Sequence, residues 1–246
     1  MKHIDFNADL GEGGPSDAEL LQLVSSANIC CGAHAGDQQS IRGALREAAR
    51  YGVAIGAHPS YPDREQFGRR NLQLSERDLR TTIHRQLEYL AQEAEQENAR
   101  FHHVKPHGAL YNQAASDPQL AQTLISILQE YDPDLVLVAL AGSELEHAGR
   151  QAGMRVRAEA FADRRYDSSG RLLPRSRPDA ILHDSREAIE QSLELITAGR
   201  VRSADGHWLE IRADTLCLHG DNPDALAFAR LLRQAFETEG IRIQAN

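Results

Sequence analysis

The chain has 246 residues, a formal net charge of −9 and a hydrophobic fraction of 41%, which suits a soluble globular enzyme of one large domain or two small ones. The acidic balance argues against a nucleic-acid partner, and no apolar run approaches the ~18 residues needed to span a bilayer. Only Lys2 and Lys105 among the 27 basic residues are lysines, and neither follows the Gly-x-x-x-x-Gly pattern of a P-loop.

Strand-like runs alternate with helical ones along the chain. Strands are predicted over 3–10, 28–34, 53–59, 102–108, 135–141, 155–161, 215–221 and 241–244. Helices are predicted over 17–26, 40–51, 75–97, 118–130, 143–152, 185–198 and 223–239. Ser75, with Glu76 and Asp78 behind it, reads as a helix start. Gly52 and Gly240 read as left-handed helix ends. The rhythm breaks at 162–184, where Gly170, Pro174 and Pro178 fall, and again at 199–209, which reads as a small hairpin or excursion.

The N-terminus enters strand-like alternation directly, with no signal-peptide pattern. Three cysteines, Cys30, Cys31 and Cys217, form no disulfide framework and fit a reducing cytoplasm. Strict βα alternation implies a parallel sheet, and seven or eight such units in this length suit one closed barrel over residues 1–246. An open doubly wound sheet is the alternative.

Side chains alternate faces along a strand. The first strand therefore sets Ile4, Phe6, Ala8 and Leu10 against Asp5, Asn7 and Asp9. Later strands place Asn28 and His34, His58, then His103, Lys105 and His107 on the polar parity. Arg157 and Glu159, then Cys217, His219 and Asp221, continue it. In a barrel this parity faces the axis, and its polar residues thicken toward the C-terminal strand ends, where parallel α/β proteins place active sites. A purely structural polar core is the bland reading, but burying so many charges without a task is costly. His84, His147, His183 and His207 fall in helices or loops and are expected at the surface.

Several motifs follow these strand ends. They include Asn7-Ala8-Asp9-Leu10-Gly11-Glu12, the run from Ser26 to Asp37 with Cys30-Cys31-Gly32-Ala33-His34, and Ile55-Gly56-Ala57-His58-Pro59. Phe67-Gly68-Arg69-Arg70, the run Val104-Lys105-Pro106-His107-Gly108 through Asn112, Glu159 to Arg164, Leu173-Pro174-Arg175 and His219-Gly220-Asp221 complete the series. In this order the motifs resemble the LamB/YcsF family, the A subunit of prokaryotic ATP-dependent 5-oxoprolinase, from residue 3 to about residue 225. Ala33 stands where that family commonly has an aromatic residue, and Ser60 where it commonly has glycine.

The resemblance implies an incomplete, seven-stranded TIM-like (β/α) barrel of the glycoside hydrolase/deacetylase type. It also implies opening of the 5-oxoproline lactam to glutamate with ATP hydrolysis, in complex with B and C subunits. Such chemistry needs a base to orient water, donors for developing negative charge, and a clamp for the substrate. Asp9 or His107 is the candidate base, and Lys105 the candidate stabiliser of oxyanion or phosphoryl oxygens. Arg69 or Arg70 is the candidate clamp. Asn7, Glu12, Asn28, His34, Asp37, His58, Glu159, His219 and Asp221 are expected to complete the pocket. Histidines near carboxylates also permit a divalent metal. The alternatives are a stand-alone metal-dependent deacetylase or amidohydrolase on the same barrel, and a non-catalytic 5-oxoproline-binding subunit.

Overall fold

A computed structural model of the chain describes residues 2–218 and 225–245. Seven parallel strands form the wall of a barrel: β1 (His3–Leu10), β2 (Ser26–Cys30), β3 (Ala54–His58), β4 (His103–Val104), β5 (Val136–Leu140), β6 (Arg155–Phe161) and, after a hairpin, β9 (Thr215–Leu218). The ring closes because β1 pairs in parallel with both β2 and β9. The hairpin, β7 (Arg200–Arg202) and β8 (Trp208–Glu210), is antiparallel and stands apart from the ring. A short β10 (Arg242–Ile243) pairs in parallel with the start of β1. The fold is thus a TIM-like α/β barrel with one strand fewer than eight, as the resemblance implies; the alternation alone leaves seven or eight units open.

Helices cover the outside: α1 (Asp17–Leu20), α2 (Gln38–Tyr51), α3 (Glu76–Gln96), α4 (Gly108–Ala114), α5 (Pro118–Tyr131), α6 (Glu144–Gln151), α7 (Ser185–Ala198) and α8 (Ala225–Thr238). Their starts are chemically explicit. Asp37 and Ser40 form a reciprocal capping box on α2. Asp117 accepts from the Gln119 and Leu120 amides, with Pro118 at the first turn of α5. Ser75 caps α3, and Gly52 ends α2 in the left-handed region. Each device satisfies backbone groups that the helix end leaves open.

The apolar parity packs outward against these helices: Phe6 meets Phe236 of α8 edge to face at 6.1 Å. The polar parity faces the axis, where the register places Asp9 beside Asn28, Asn28 beside Gly56, and Gly56 beside His103. Gly56 is glycine for a steric reason, since a Cβ there would lie 2.1 Å from the His103 ring.

Four boundaries depart from the sequence expectation. β2 begins at Ser26 and ends at Cys30, because Gly32 and Gly36 take positive φ and turn the chain, so His34 sits in a loop. α1 stops at Leu20. β4 is two residues long, and the stretch after His107 becomes α4, whose Leu110, Tyr111 and Ala114 are buried. The end of the seventh predicted strand, with His219 and Asp221, lies outside the described residues. Among the described residues no helix is long and apolar enough to cross a membrane.

Candidate active site

A cavity of about 560 Å³ opens at the C-terminal ends of the strands. Its floor carries Asp9 from β1, His58 from β3, and Lys105 and His107 from the segment after β4. Glu12 reaches it from the loop after β1, where the Gly11 amide donates to Asp17 Oδ2 at 2.8 Å and pins the turn.

Lys105 is 2% exposed. Its ammonium donates to Asp9 Oδ1 at 2.9 Å and to Cys217 Sγ at 3.1 Å, and pairs with Glu159 Oε1 at 2.9 Å. Burial works against its charge, but the carboxylates of Asp9 and Glu159 more than offset that and hold its pKa well above the ordinary lysine value. Lys105 is therefore a fixed cation and not a base. Burial likewise pushes the Cys217 thiol well up, so it stays protonated.

The carboxylates around Lys105 are themselves held. Tyr111 donates to Glu159 Oε2 at 2.7 Å, and Asn7 Nδ2 donates to Glu159 Oε1 at 3.0 Å and to Thr215 at 2.6 Å. Asn28 Nδ2 donates to both Asn7 Oδ1 and Asp9 Oδ1 at 2.9 Å. Its oxygen is thereby left to accept from His103 Nε2 at 3.0 Å. Every member of this buried network has a partner, the condition under which such networks rigidify a core.

Three histidines meet beside Asp9, and their outer nitrogens fix their tautomers. His58 Nδ1 donates to the Lys105 carbonyl at 2.7 Å, and His107 Nε2 donates to the Phe67 carbonyl at 2.9 Å. The Ser60 hydroxyl donates to the Tyr61 carbonyl, so His34 Nδ1 donates to Ser60 Oγ at 2.9 Å. In the neutral rings His34 Nε2, His58 Nε2 and His107 Nδ1 then carry lone pairs that point inward. His34 and His107 are neutral: burial, followed by the neighbouring histidines, lowers the first to about 2 and the second well below its usual value.

These inward lone pairs face acceptors. His107 Nδ1 lies 2.9 Å from His58 Nε2, and His34 Nε2 lies 3.0 Å from Glu12 Oε1. His58 Nε2 is 3.3 Å from Asp9 Oδ2, and His107 Nδ1 is 3.6 Å from Glu12 Oε1. Ligand atoms of Glu12, His34 and His107 fall within 4.8 Å of one another. Mixed imidazole nitrogens and carboxylate oxygens, with the outer nitrogens anchored, are a donor set that fits a divalent transition metal. Gly68 makes room for the cluster: a Cβ there would lie 2.9 Å from His34 Cβ and 3.0 Å from His107 Cδ2.

The structure sorts the expected site residues. It brings Asp9, Glu12, His34, His58, Lys105, His107 and Glu159 together around the floor, and Arg69 lines the cavity wall. Asn7 and Asn28 do not line the cavity; they lie beneath it and hold Glu159 and Asp9. Asp37 caps α2, outside the cavity. Arg70 points away as well and pairs with Asp63 at 3.5 Å. His84 departs from its expected place at the surface: it is half-buried, and its Nε2 is enclosed without a hydrogen-bond partner.

Sequence reasoning misses Ser60 and Phe67, which act through a hydroxyl and a backbone carbonyl in loops where parity does not apply. It also misses Tyr111 as a site residue, because the strand pattern through His107 conceals the start of α4. Arg164, Arg171 and Arg175 line the cavity from the 162–184 interruption, whose path no periodicity specifies.

A lactam utilization protein from Thermus thermophilus is 41% identical, covers 99% of this chain and 100% of its own, and superposes with a TM-score of 0.91. Two others share the fold alone. One is a putative cellobiose-phosphate cleavage protein from Enterococcus faecalis V583, at 15% identity, TM-score 0.60, covering 100% of this chain and 97% of that one. The other is a family 4 carbohydrate esterase from Streptomyces lividans, at 10% identity, TM-score 0.54, covering 98% and 91%. The LamB/YcsF family model matches residues 4–246, and the chain belongs to that family.

Proposed function

We propose that the chain is the A subunit of an ATP-dependent 5-oxoprolinase, which opens the lactam of 5-oxo-L-proline to L-glutamate together with B and C subunits. Family membership and the likeness to a lactam utilization protein support the substrate class. The observation that carries the reading is a permanently charged Lys105 on the same cavity floor as the neutral, inward-facing imidazole of His107. A lactam carbonyl needs both, a fixed positive charge for its oxygen and a base for the water.

Phosphorylation of the lactam oxygen by ATP makes the ring carbon electrophilic and releases ADP. Water then attacks that carbon and the ring C–N bond breaks to leave an acyl phosphate, which a second water hydrolyses to glutamate and phosphate. The lactam, ATP and two waters give glutamate, ADP and phosphate. His58 is placed to take the water's proton on its inward Nε2, and His107 Nδ1 could do so only where no cation occupies the cluster. Lys105 has its N–H groups directed at Asp9, Glu159 and Cys217, and the thiol is the weakest of these acceptors. A substrate oxygen gains Lys105 by displacing the Cys217 contact, so the two carboxylate pairings survive. Glu12, His34 and His107 would hold a divalent cation, which when bound polarises an oxygen and lowers the pKa of a bound water.

A second reading is favoured by the same histidine–carboxylate cluster: an ATP-independent metal hydrolase acting on an amide or acetyl group. Co-expression with B and C subunits separates the two. Release of ADP that requires 5-oxoproline and all three chains supports the first. Amide hydrolysis by the isolated chain without ATP, abolished by chelator, supports the second and removes the first.

A further inference from the structure

Phe67 follows a single 3₁₀ turn, Arg64–Gln66, in the connection between β3 and α3. The site described above calls on its carbonyl alone, yet its backbone is the most unusual in the chain's described part. Phe67 has φ 54° and ψ 37°, in the left-handed region. Among the described residues only Asn98 shares a positive φ without being glycine. Asparagine tolerates that region, whereas a bulky side chain there is strained. Glycine at this position would remove the strain, and the chain carries phenylalanine.

The turn is fixed from several sides. The Phe67 amide donates to the Arg64 carbonyl at 3.3 Å, the Gly68 amide to the Asp63 carbonyl at 2.7 Å and the Arg69 amide to the Gln66 carbonyl at 3.0 Å. It is also tied to both histidine-bearing segments. Arg64 Nη1 and Nη2 donate to the Gly32 and Gly36 carbonyls at 3.1 and 2.7 Å, on either side of His34 in the chain. The Ala109 amide donates to the Gly68 carbonyl at 2.9 Å, beside the bond from His107 Nε2 to the Phe67 carbonyl. Gly108 permits this approach, since a Cβ there would lie 2.5 Å from the Gly68 oxygen. Such strain persists only where the surroundings over-determine the backbone, and it clusters at functional sites.

The side chain that the strain carries meets the imidazoles. His34 and His107 are stacked, with ring planes 5° apart and centroids 3.8 Å apart. Phe67 meets both edge to face, His34 at 5.5 Å and His107 at 5.4 Å. His58 meets the same two rings edge to face at 5.7 and 4.8 Å. Edge-to-face contacts are directional and favour one ring orientation over others. Phe67 is half-buried and lines the cavity, while His34 and His107 are 1% and 6% exposed. A single hydrogen bond at an outer nitrogen lets a ring pivot about it; a ring packed against the stack removes that freedom.

We propose that Phe67 is a positioning residue: its left-handed backbone sets the phenyl ring against the stacked His34–His107 pair and keeps the inward nitrogens of both imidazoles aimed at the cavity. This goes beyond the proposed function and holds for any reaction that uses those nitrogens.

The test compares Phe67→Gly, Phe67→Ala and Phe67→Tyr with the natural sequence, all chelator-treated. Imidazole nitrogen spectra of histidine-labelled protein near neutral pH, assigned with His34→Gln and His107→Gln, read the tautomer of each ring. The natural chain should show His34 only as the Nδ1–H form and His107 only as the Nε2–H form. Phe67→Tyr should keep both, whereas Phe67→Gly and Phe67→Ala should show mixed tautomers in at least one of the two rings. Thermal melting gives a reading that plain packing would not. Phe67→Gly, relieved of strain, should melt about 2–4 °C above Phe67→Ala, although glycine offers fewer contacts. Single tautomers in both rings of a folded Phe67→Gly or Phe67→Ala overturn the proposal, as does a mixture already present in the natural chain. Melting of Phe67→Gly below Phe67→Ala overturns it too. Should one of these two variants not fold, the spectrum of the other against Phe67→Tyr decides. If the tautomers behave as expected but the reconstituted complex releases no oxoproline-dependent ADP, the proposed function fails and the positioning role stands.

Discussion

His58 and His107 face each other nitrogen to nitrogen at 2.9 Å, and in their neutral forms neither ring has a proton to place between them. Their other nitrogens are committed as donors to the carbonyls of Lys105 and Phe67. Glu12 and His34 belong to the same cluster, a donor set that allows a divalent cation.

Metal binding should therefore be measurable without any assay of turnover. Chelator-treated protein titrated with zinc or manganese should take up one equivalent. At 100 times the dissociation constant the ion should stabilise the fold by about 2.7 kcal/mol. For a chain of this size that is a rise in Tm of roughly 5–11 °C. Glu12→Gln and His34→Asn should abolish the rise. A melting curve indifferent to metal would refute the site.

Ser60 holds His34 through its hydroxyl and is itself clamped by Gln86, whose amide meets both the Ser60 N–H and the Ser60 carbonyl. Ser60→Ala should leave the fold intact and lower metal affinity by roughly 10–100-fold, the usual cost of losing an outer-sphere partner. Direct titration of metal into the variant checks this, and unchanged affinity would mean that Ser60 does not orient the ring.

Lys105→Met should act on both stability and chemistry. It leaves Asp9 and Glu159 buried without their shared cation, a loss of about 3–5 kcal/mol readable by urea denaturation. In the reconstituted complex turnover should fall by ~10²–10³. Cys217→Ala is the milder companion, because it removes only the thiol that a substrate oxygen would displace and should keep most of the activity. A folded Lys105→Met complex with near-normal turnover removes the assigned role.

Acid should destabilise the protein early, and His103 is one cause. Burial, followed by Arg157 and Lys105, lowers its pKa from 6.5 to about 3. The unfolded chain then binds a proton that the folded chain refuses throughout that interval. The resulting stability is fully present above pH 6.5 and drains as pH falls toward 3, by up to about 1.4 kcal/mol per pH unit. His103→Gln, which does not titrate, should flatten this part of the stability profile in urea titrations run from pH 7 to pH 4. An unchanged slope would assign the acid sensitivity to other groups.

How much of this is legible in the sequence follows from what repeats and what does not. Side-chain parity is a property of every strand, so the spacing alone puts Asp9, Lys105 and Glu159 on the barrel axis, and the structure has both carboxylates 2.9 Å from the Lys105 ammonium. Parity puts Asn7 and Asn28 on the correct face but at the wrong depth, because it does not say how far along the axis a cavity reaches. Asp37 and Arg70 stand in motifs, where proximity in sequence to a ligand residue does not show which way a side chain turns; one caps a helix and the other pairs with Asp63. Arg164, Arg171 and Arg175 are not placed at the cavity by the sequence, because the irregular segment that carries them has no period.

The scarcity of lysine gives the barrel a built-in chemical reporter. Lys2 is exposed, while Lys105 is 2% exposed and held strongly protonated. An amine-acylating reagent should therefore mark Lys2 on the folded chain and spare Lys105. Modification at Lys105, read by peptide mass, then records each opening of the barrel interior, and its rate under graded denaturant measures how often the floor of the cavity comes apart.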